Sequence, residues 1–149
     1  MKNILLIQGA NMEFLGRREP DIYGTTTAAE LNDMLDRAAP QHGLVLDTRY
    51  TNHEGEAIDW IYDAVRAEFD GLIMNPAGFL HSGHALCDCL RGVVPSAPLP
   101  YVEVHMSNID ARGRRSATAP AATAMISGMG TDSYLLALDA MARILAGRT

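Results

Sequence analysis

A chain of 149 residues with 48% apolar and 20% charged residues has the balance of one globular domain, large enough for a core without metal or disulfide staples. A formal charge of −6 argues against a general nucleic-acid binder, which needs clustered Lys and Arg on its surface. Residues 1–149 read as a single domain without linker, repeat or secretory leader, and no apolar run approaches the roughly 20 residues that span a bilayer. A soluble, cytoplasmic protein is the expectation.

Ile4 to Ile7 is an unbroken apolar run, the mark of a parallel strand covered on both faces. A long polar stretch follows, from Gln8 to Gly24, whereas ordinary strand-to-helix connections take about 2–6 residues and much longer ones tend to be lids or binding loops. Thr27 to Ala38 has Leu31, Met34 and Leu35 on one helical face, and Gly43 marks the stop. Leu44 to Tyr50 alternates like a strand near a sheet edge, and Glu54 to Phe69 carries Ile58, Ile61, Tyr62 and Val65 at helical spacing. Gly71 to Met74 predicts a third strand, His81 to Arg91 a helix that begins there or slightly earlier, and Leu99 to Met106 a fourth strand. Thr123 to Ser127 predicts the fifth, and Asp132 to Ala146 a closing helix with Leu135, Leu138, Met141 and Ile144 inward. Cys87 and Cys89 lie two apart in a helix and point away from each other, so no disulfide joins them, as suits a reducing compartment.

Strands alternating with helices imply right-handed crossovers and an open parallel α/β sheet. Ligands of such sheets bind beyond the carboxyl ends of the strands. Polar or small residues follow each predicted strand: Asn11, Asn52-His53, Asn75, His105 to Asn108, and Gly128-Met129-Gly130. All five strands thus point to a site at one edge.

Within it, Tyr23 and Arg18 share the long loop, and a guanidinium beside a phenol stabilises the phenolate, a usable base; Glu19 is placed to steady that Arg. Glu103 and His105 are two apart on one strand and share a face. A carboxylate there fixes the tautomer of the imidazole and favours its protonated form, which suits a general acid. A buried pair serving packing is the competing reading of the same spacing. Ser107 is next on that face, and the small-residue loop Asn75 to Gly83 precedes a helix start that favours an anion. Arg112, Arg114 and Arg115 form a patch suited to a small anion. His81, His84, Cys87 and Cys89 match no common zinc spacing. Gly128 to Ser133 echoes a dinucleotide fingerprint but follows the last strand, and reads as a tight turn.

Taken in order, these segments resemble the type II 3-dehydroquinate dehydratases. The resemblance is carried by Gly9-Ala10-Asn11-Met12, Leu15-Gly16-Arg17-Arg18-Glu19-Pro20-Asp21-Ile22-Tyr23-Gly24, Asn52-His53-Glu54-Gly55-Glu56 with Ile58-Asp59, Asn75-Pro76-Ala77-Gly78-Phe79 with His81 and Asp88, Glu103 to Ile109, and Gly128-Met129-Gly130 before Tyr134. It implies a flavodoxin-like three-layer sandwich with a five-stranded parallel sheet. It also implies trans-elimination of water from 3-dehydroquinate to 3-dehydroshikimate, in biosynthesis or quinate catabolism, without metal or organic cofactor. By the same resemblance Tyr23 is the base with Arg18 beside it, and Asn11 holds a water that stabilises the enolate. His105, oriented by Glu103, is the acid. Asn75, Ser107 and the backbone around Met106 would hold the substrate carboxylate, and His81 its ring hydroxyls. Asp88 would reach a neighbouring subunit's site in a dodecamer built from trimers. Ala10 stands where the family has Pro, Met12-Glu13-Phe14 is an unusual lid sequence, and Ser82-Gly83 stands where Thr-Ser is common. Arg112 matches the first Arg of the family pattern. About three residues are missing after it, which leaves Arg115 or Arg114 for the pattern's second Arg that grips the substrate, and Val93 to Pro98 is an extra stretch. Two other functions fit the sequence: a dehydratase for a related polyhydroxy-keto acid, and a non-catalytic metabolite-binding homologue.

Overall fold

In a computed structural model, which describes residues 1–147, the chain forms a five-stranded sheet in the order β2-β1-β3-β4-β5, every pairing parallel. The strands are β1 (Lys2–Ala10), β2 (Leu44–Tyr50), β3 (Gly71–Ala77), β4 (Tyr101–His105) and β5 (Ala124–Ser127). The helices are α1 (Pro20–Tyr23), α2 (Ala28–Ala38), α3 (Glu54–Arg66), α4 (Phe79–Ser82), α5 (His84–Ser96) and α6 (Asp132–Leu145). This strand order is that of the flavodoxin-like doubly wound sheet, whose ligand crevice opens where the order reverses, between β1 and β3.

The apolar run at the start of the chain explains the layering. Ile4, Leu5, Leu6 and Ile7 are each at most 1% exposed. Ile4 and Leu6 pack with Leu31 and Leu35 of α2 and with Leu138 and Met141 of α6. Leu5 and Ile7 face the other way, against Ala57, Ile61 and Ala64 of α3 and Leu86, Leu90 and Val93 of α5. Full burial of such a side chain contributes about 1.5–3 kcal/mol, so β1 holds the helix layers on both of its faces to the sheet. Thr27 starts α2 by accepting from the Glu30 N–H at 3.1 Å while Glu30 reaches back to its hydroxyl, and Gly43, at φ 72, ends the connection into β2.

Several expected boundaries move, each for a local reason. α3 ends at Arg66 rather than Phe69, because Glu68 turns to φ 57 and the Glu68 and Phe69 N–H groups bond back to the Val65 and Ala64 carbonyls, a Schellman stop made without glycine. Its inward face is Ala57, Ile61 and Ala64, whereas Tyr62 is 42% exposed; small alanines let the helix lie close to the sheet. The helix expected over 81–91 is two, α4 and α5, broken at Gly83, where a Cβ would stand 2.7 Å from the Phe79 carbonyl oxygen. The extra stretch from Val93 extends α5 to Ser96. α6 turns Tyr134 and Ala137 into the core, leaving Leu135 and Ile144 at its margin.

β1 and β3 leave no room for a side chain at Gly9, where a Cβ would lie 2.1 Å from the Pro76 carbonyl oxygen. Gly9→Ala is therefore expected to lower the unfolding free energy by about 2 kcal/mol or more, as overpacking against backbone does. Urea unfolding of parent and variant measures this, and equal midpoints would show that the two strands separate freely there.

Candidate active site

One cavity of ≈ 510 Å³ opens at the carboxyl edge of the sheet. The ends of β1, β2, β3 and β4 supply it through Asn11, Asn52, Asn75 and His105. The turn after β5 lies outside the lining; instead the N–H groups of Gly128 and Gly130 bond to the carbonyls of His105 and Met106 at 3.3 and 2.8 Å. That last turn thus braces the end of β4.

The long stretch after β1 is a folded lid. Asn11 adopts φ 74 and donates its N–H to Asn52 Oδ1 at 2.9 Å. A 3₁₀ turn over Met12–Phe14 follows, and Met12 and Leu15 bury themselves in the core beside α2. Gly16, at φ 89, lies so close to the Thr25 and Thr26 carbonyls that a Cβ would come within 2.9 Å of each. The lid then closes through α1, with Pro20 at its first position and Gly24 at its end. Glu19 (φ 42) and Ala77 (φ 48) hold left-handed backbone and both line the cavity, strain of the kind that gathers at sites.

Tyr23, at the end of α1, is half-buried and faces a cation, but that cation is Arg112. Its Nη1 donates to the Tyr23 oxygen at 3.2 Å and to Ser107 Oγ at 2.9 Å, and its guanidinium carbon sits 5.6 Å from the centre of the Tyr23 ring. Arg18 lines the same cavity without a hydrogen bond to Tyr23 among the described residues. Arg112 is delivered by a tight loop in which the Arg112 and Arg114 N–H groups both bond to the Ile109 carbonyl. Arg114 joins it in the lining, whereas Arg115 is exposed and outside it. Three Arg side chains against the carboxylates of Glu19 and Glu54 give this cavity a positive bias inside an acidic chain, which suits an anion.

On β4 the expected pair is formed: His105 Nε2 lies 2.6 Å from Glu103 Oε2, with both side chains nearly inaccessible. His105 borders the cavity and Glu103 stands behind it. Burial pushes the Glu103 carboxyl up, but hydrogen bonds from His105, Thr118, Tyr101 and Ser116 outweigh it and hold it below the usual carboxylate range. With Nε2 engaged, Nδ1 is the ring nitrogen left for chemistry.

Asn75 is buried, its Oδ1 accepting from the Ala77 N–H at 2.9 Å and its Nδ2 donating to the Tyr134 hydroxyl at 2.8 Å and toward Met12 Sδ at 3.5 Å. Tyr134 in turn donates to Gln8 Oε1 at 2.7 Å. A thioether is a weak acceptor, so one Asn75 N–H is readily handed to a ligand oxygen. Met106, Ser107 and His81 also line the cavity; Asp88 is exposed on α5, outside it. Sequence reasoning gave no role to Glu54, whose Oε1 is buried and unpartnered, or to Tyr134, and passed over the supporting Tyr101 and Thr118. Among the described residues no three His, Cys, Asp or Glu side chains gather as a metal cluster.

A doubly wound α/β sheet with a lidded cationic crevice, a Tyr held by Arg and a buried Glu–His pair defines an acid–base enzyme for a small anion. The sequence matches the family Dehydroquinase class II over residues 2–142, and the chain belongs to that family. It is 42% identical over 144 residues to a 3-dehydroquinate dehydratase of Rhodopseudomonas palustris, covering 95% of this chain and 93% of that protein. It is 41% identical over 145 residues to one of Thermus thermophilus, covering 95% of each. Among solved structures, a type II dehydroquinase from Propionibacterium acnes superposes with a TM-score of 0.86 at 37% identity, covering 95% of this chain and 97% of that one. One from Butyrivibrio crossotus gives 0.87 at 32%, covering 94% and 97%.

Proposed function

We propose that this chain is a 3-dehydroquinate dehydratase that removes water by trans-elimination through an enolate. Tyr23, as phenolate, takes a proton from the carbon next to the ketone, and the electron pair moves into the enolate. Asn11 stabilises that enolate through a water. The His105 imidazolium gives its Nδ1 proton to the departing hydroxyl while its Nε2–H stays on Glu103, so the carbon–oxygen bond breaks as the ring double bond forms and water leaves. Asn75, Ser107 and the Met106 backbone receive the substrate carboxylate, His81 the ring hydroxyls, and Arg114 and Arg18 complete the cationic wall. The observation that carries the reading is Arg112, which holds the Tyr23 oxygen and Ser107 at once beside the buried Glu103–His105 pair. A fixed cation that donates to a phenol oxygen stabilises negative charge there.

Purified protein mixed with 3-dehydroquinate tests this, read by absorbance of the conjugated enone product. Steady turnover is expected; binding without turnover would mark a metabolite-binding homologue instead. Arg112→Gln is expected to lower kcat/KM about 10- to 100-fold, since charge-assisted hydrogen bonds are the strong ones. If Arg112→Gln stays near the parent while Arg18→Gln collapses, Arg18 is the activating cation.

The proposal extends to a dodecamer built from trimers, in which Asp88, exposed and outside its own cavity, reaches a neighbouring subunit's site; light scattering checks it. Among the described residues no helix is long and apolar enough to cross a membrane. A cytoplasmic location is proposed, supported by two free, buried cysteines.

A further inference from the structure

We infer that Tyr101 and Thr118 are positioning residues that clamp the Glu103 carboxylate and, through it, set the orientation and tautomer of the His105 ring. The inference rests on the dehydratase reading and deepens it. The two oxygens of Glu103 have separate partners. Tyr101 donates to Oε1 at 2.7 Å, and Thr118 Oγ1 donates to the same oxygen. Oε2 is left to His105 Nε2. Two donors on one oxygen fix the carboxylate plane, so that Oε2 cannot swing away from the imidazole. His105 then keeps its proton donor on the Glu103 side and Nδ1 toward the cavity.

The clamp is assembled from distant parts of the chain. Tyr101, Glu103 and His105 alternate along β4 and therefore share one face. Thr118 comes from the segment before the 3₁₀ turn at Ala119–Ala121. It is backed by Ser116, which accepts from the Thr118 N–H at 3.3 Å and lies 3.2 Å from its hydroxyl. Gly83, at the break between α4 and α5, makes room: a Cβ there would stand 3.2 Å from Thr118 Cγ2. Tyr101, Glu103 and Thr118 are completely buried, so water cannot replace a missing donor, and a buried carboxylate without donors is costly. Neither Tyr101 nor Thr118 lines the cavity; they act on the reaction only through the pair in front of them.

The test uses Tyr101→Phe and Thr118→Val, singly and together, with Thr118→Ser as the conservative replacement. Each single variant is expected to lower kcat about 10-fold and the double variant further, with KM within about twofold, because the acid step is disturbed and substrate contacts are not. Thr118→Ser retains most of the parent's kcat, since the hydroxyl is kept. Independently of turnover, proton NMR of the resting protein should show the downfield imidazole N–H of the His105–Glu103 bond, shifted or lost in the double variant. A folded double variant with parental kcat and an unmoved resonance overturns the inference. If Thr118→Val does not fold, Tyr101→Phe decides by the same two readouts. A parent without dehydratase turnover overturns the reading beneath it, and the NMR comparison still decides whether the clamp orients the ring.

Discussion

Tyr23→Phe is expected to cut turnover about 10²–10⁴-fold while leaving substrate affinity nearly unchanged, the range that a general base typically contributes. The substitution removes one oxygen and keeps the ring. The stacking of Arg112 on that ring, at 5.6 Å, survives, as does the Arg112 bond to Ser107. The lid is pinned elsewhere, by Met12 and Leu15 in the core, so its closure does not depend on the lost hydroxyl. Steady-state kinetics with 3-dehydroquinate, together with direct titration of substrate binding, separate the two effects. Retention of more than about a tenth of the parental rate would remove Tyr23 as the base, since such a loss is too small for a proton-transfer group.

The layering of the fold was legible because burial on two faces leaves an unmistakable trace. Ile4 to Ile7 reads as a covered parallel strand and is one, and β2, with its mixed exposure, does lie at the sheet edge. What the sequence hid were features decided by backbone geometry. The stop of α3 depends on Glu68 accepting a left-handed turn that glycine normally takes. The break at Gly83 depends on a close approach to the Phe79 carbonyl oxygen and to Thr118 Cγ2 that leaves no room for a Cβ. No periodicity encodes either.

The site divides in the same way. The Glu103–His105 pair was readable because alternation on one strand fixes which side chains meet. Arg18 beside Tyr23 was expected because they are neighbours in sequence, yet the cation that reaches the phenol, Arg112, is 89 residues away. It was visible as one member of a basic cluster and as a match to the first Arg of the family pattern, and its entry into the crevice is set by the turn on the Ile109 carbonyl. The turns inside the lid have no trace in the sequence pattern because they rest on Asn11, Gly16 and Glu19 backbone conformations rather than on a helical period.

His105→Ala should match the loss at Tyr23, about 10²–10⁴-fold in turnover, with weaker binding, and it should also leave a signature in stability. Burial pushes the Glu103 carboxyl up, and the bonds from His105, Thr118, Tyr101 and Ser116 bring it below its ordinary value of 4.5. A carboxyl depressed by folding contributes stability that is fully present above its unfolded value and is lost as pH falls through the folded one. Removing the His105 partner lets the folded value rise toward or past the unfolded one, so that contribution disappears from the variant at neutral pH. The parent loses it only in acid. The stability gap between parent and His105→Ala is therefore largest near neutrality and narrows as pH falls through and below 4.5. Urea unfolding at a series of pH values measures that gap. A gap independent of pH would mean that the destabilisation comes from the emptied ring volume alone, and that Glu103 is held low without help from the imidazole.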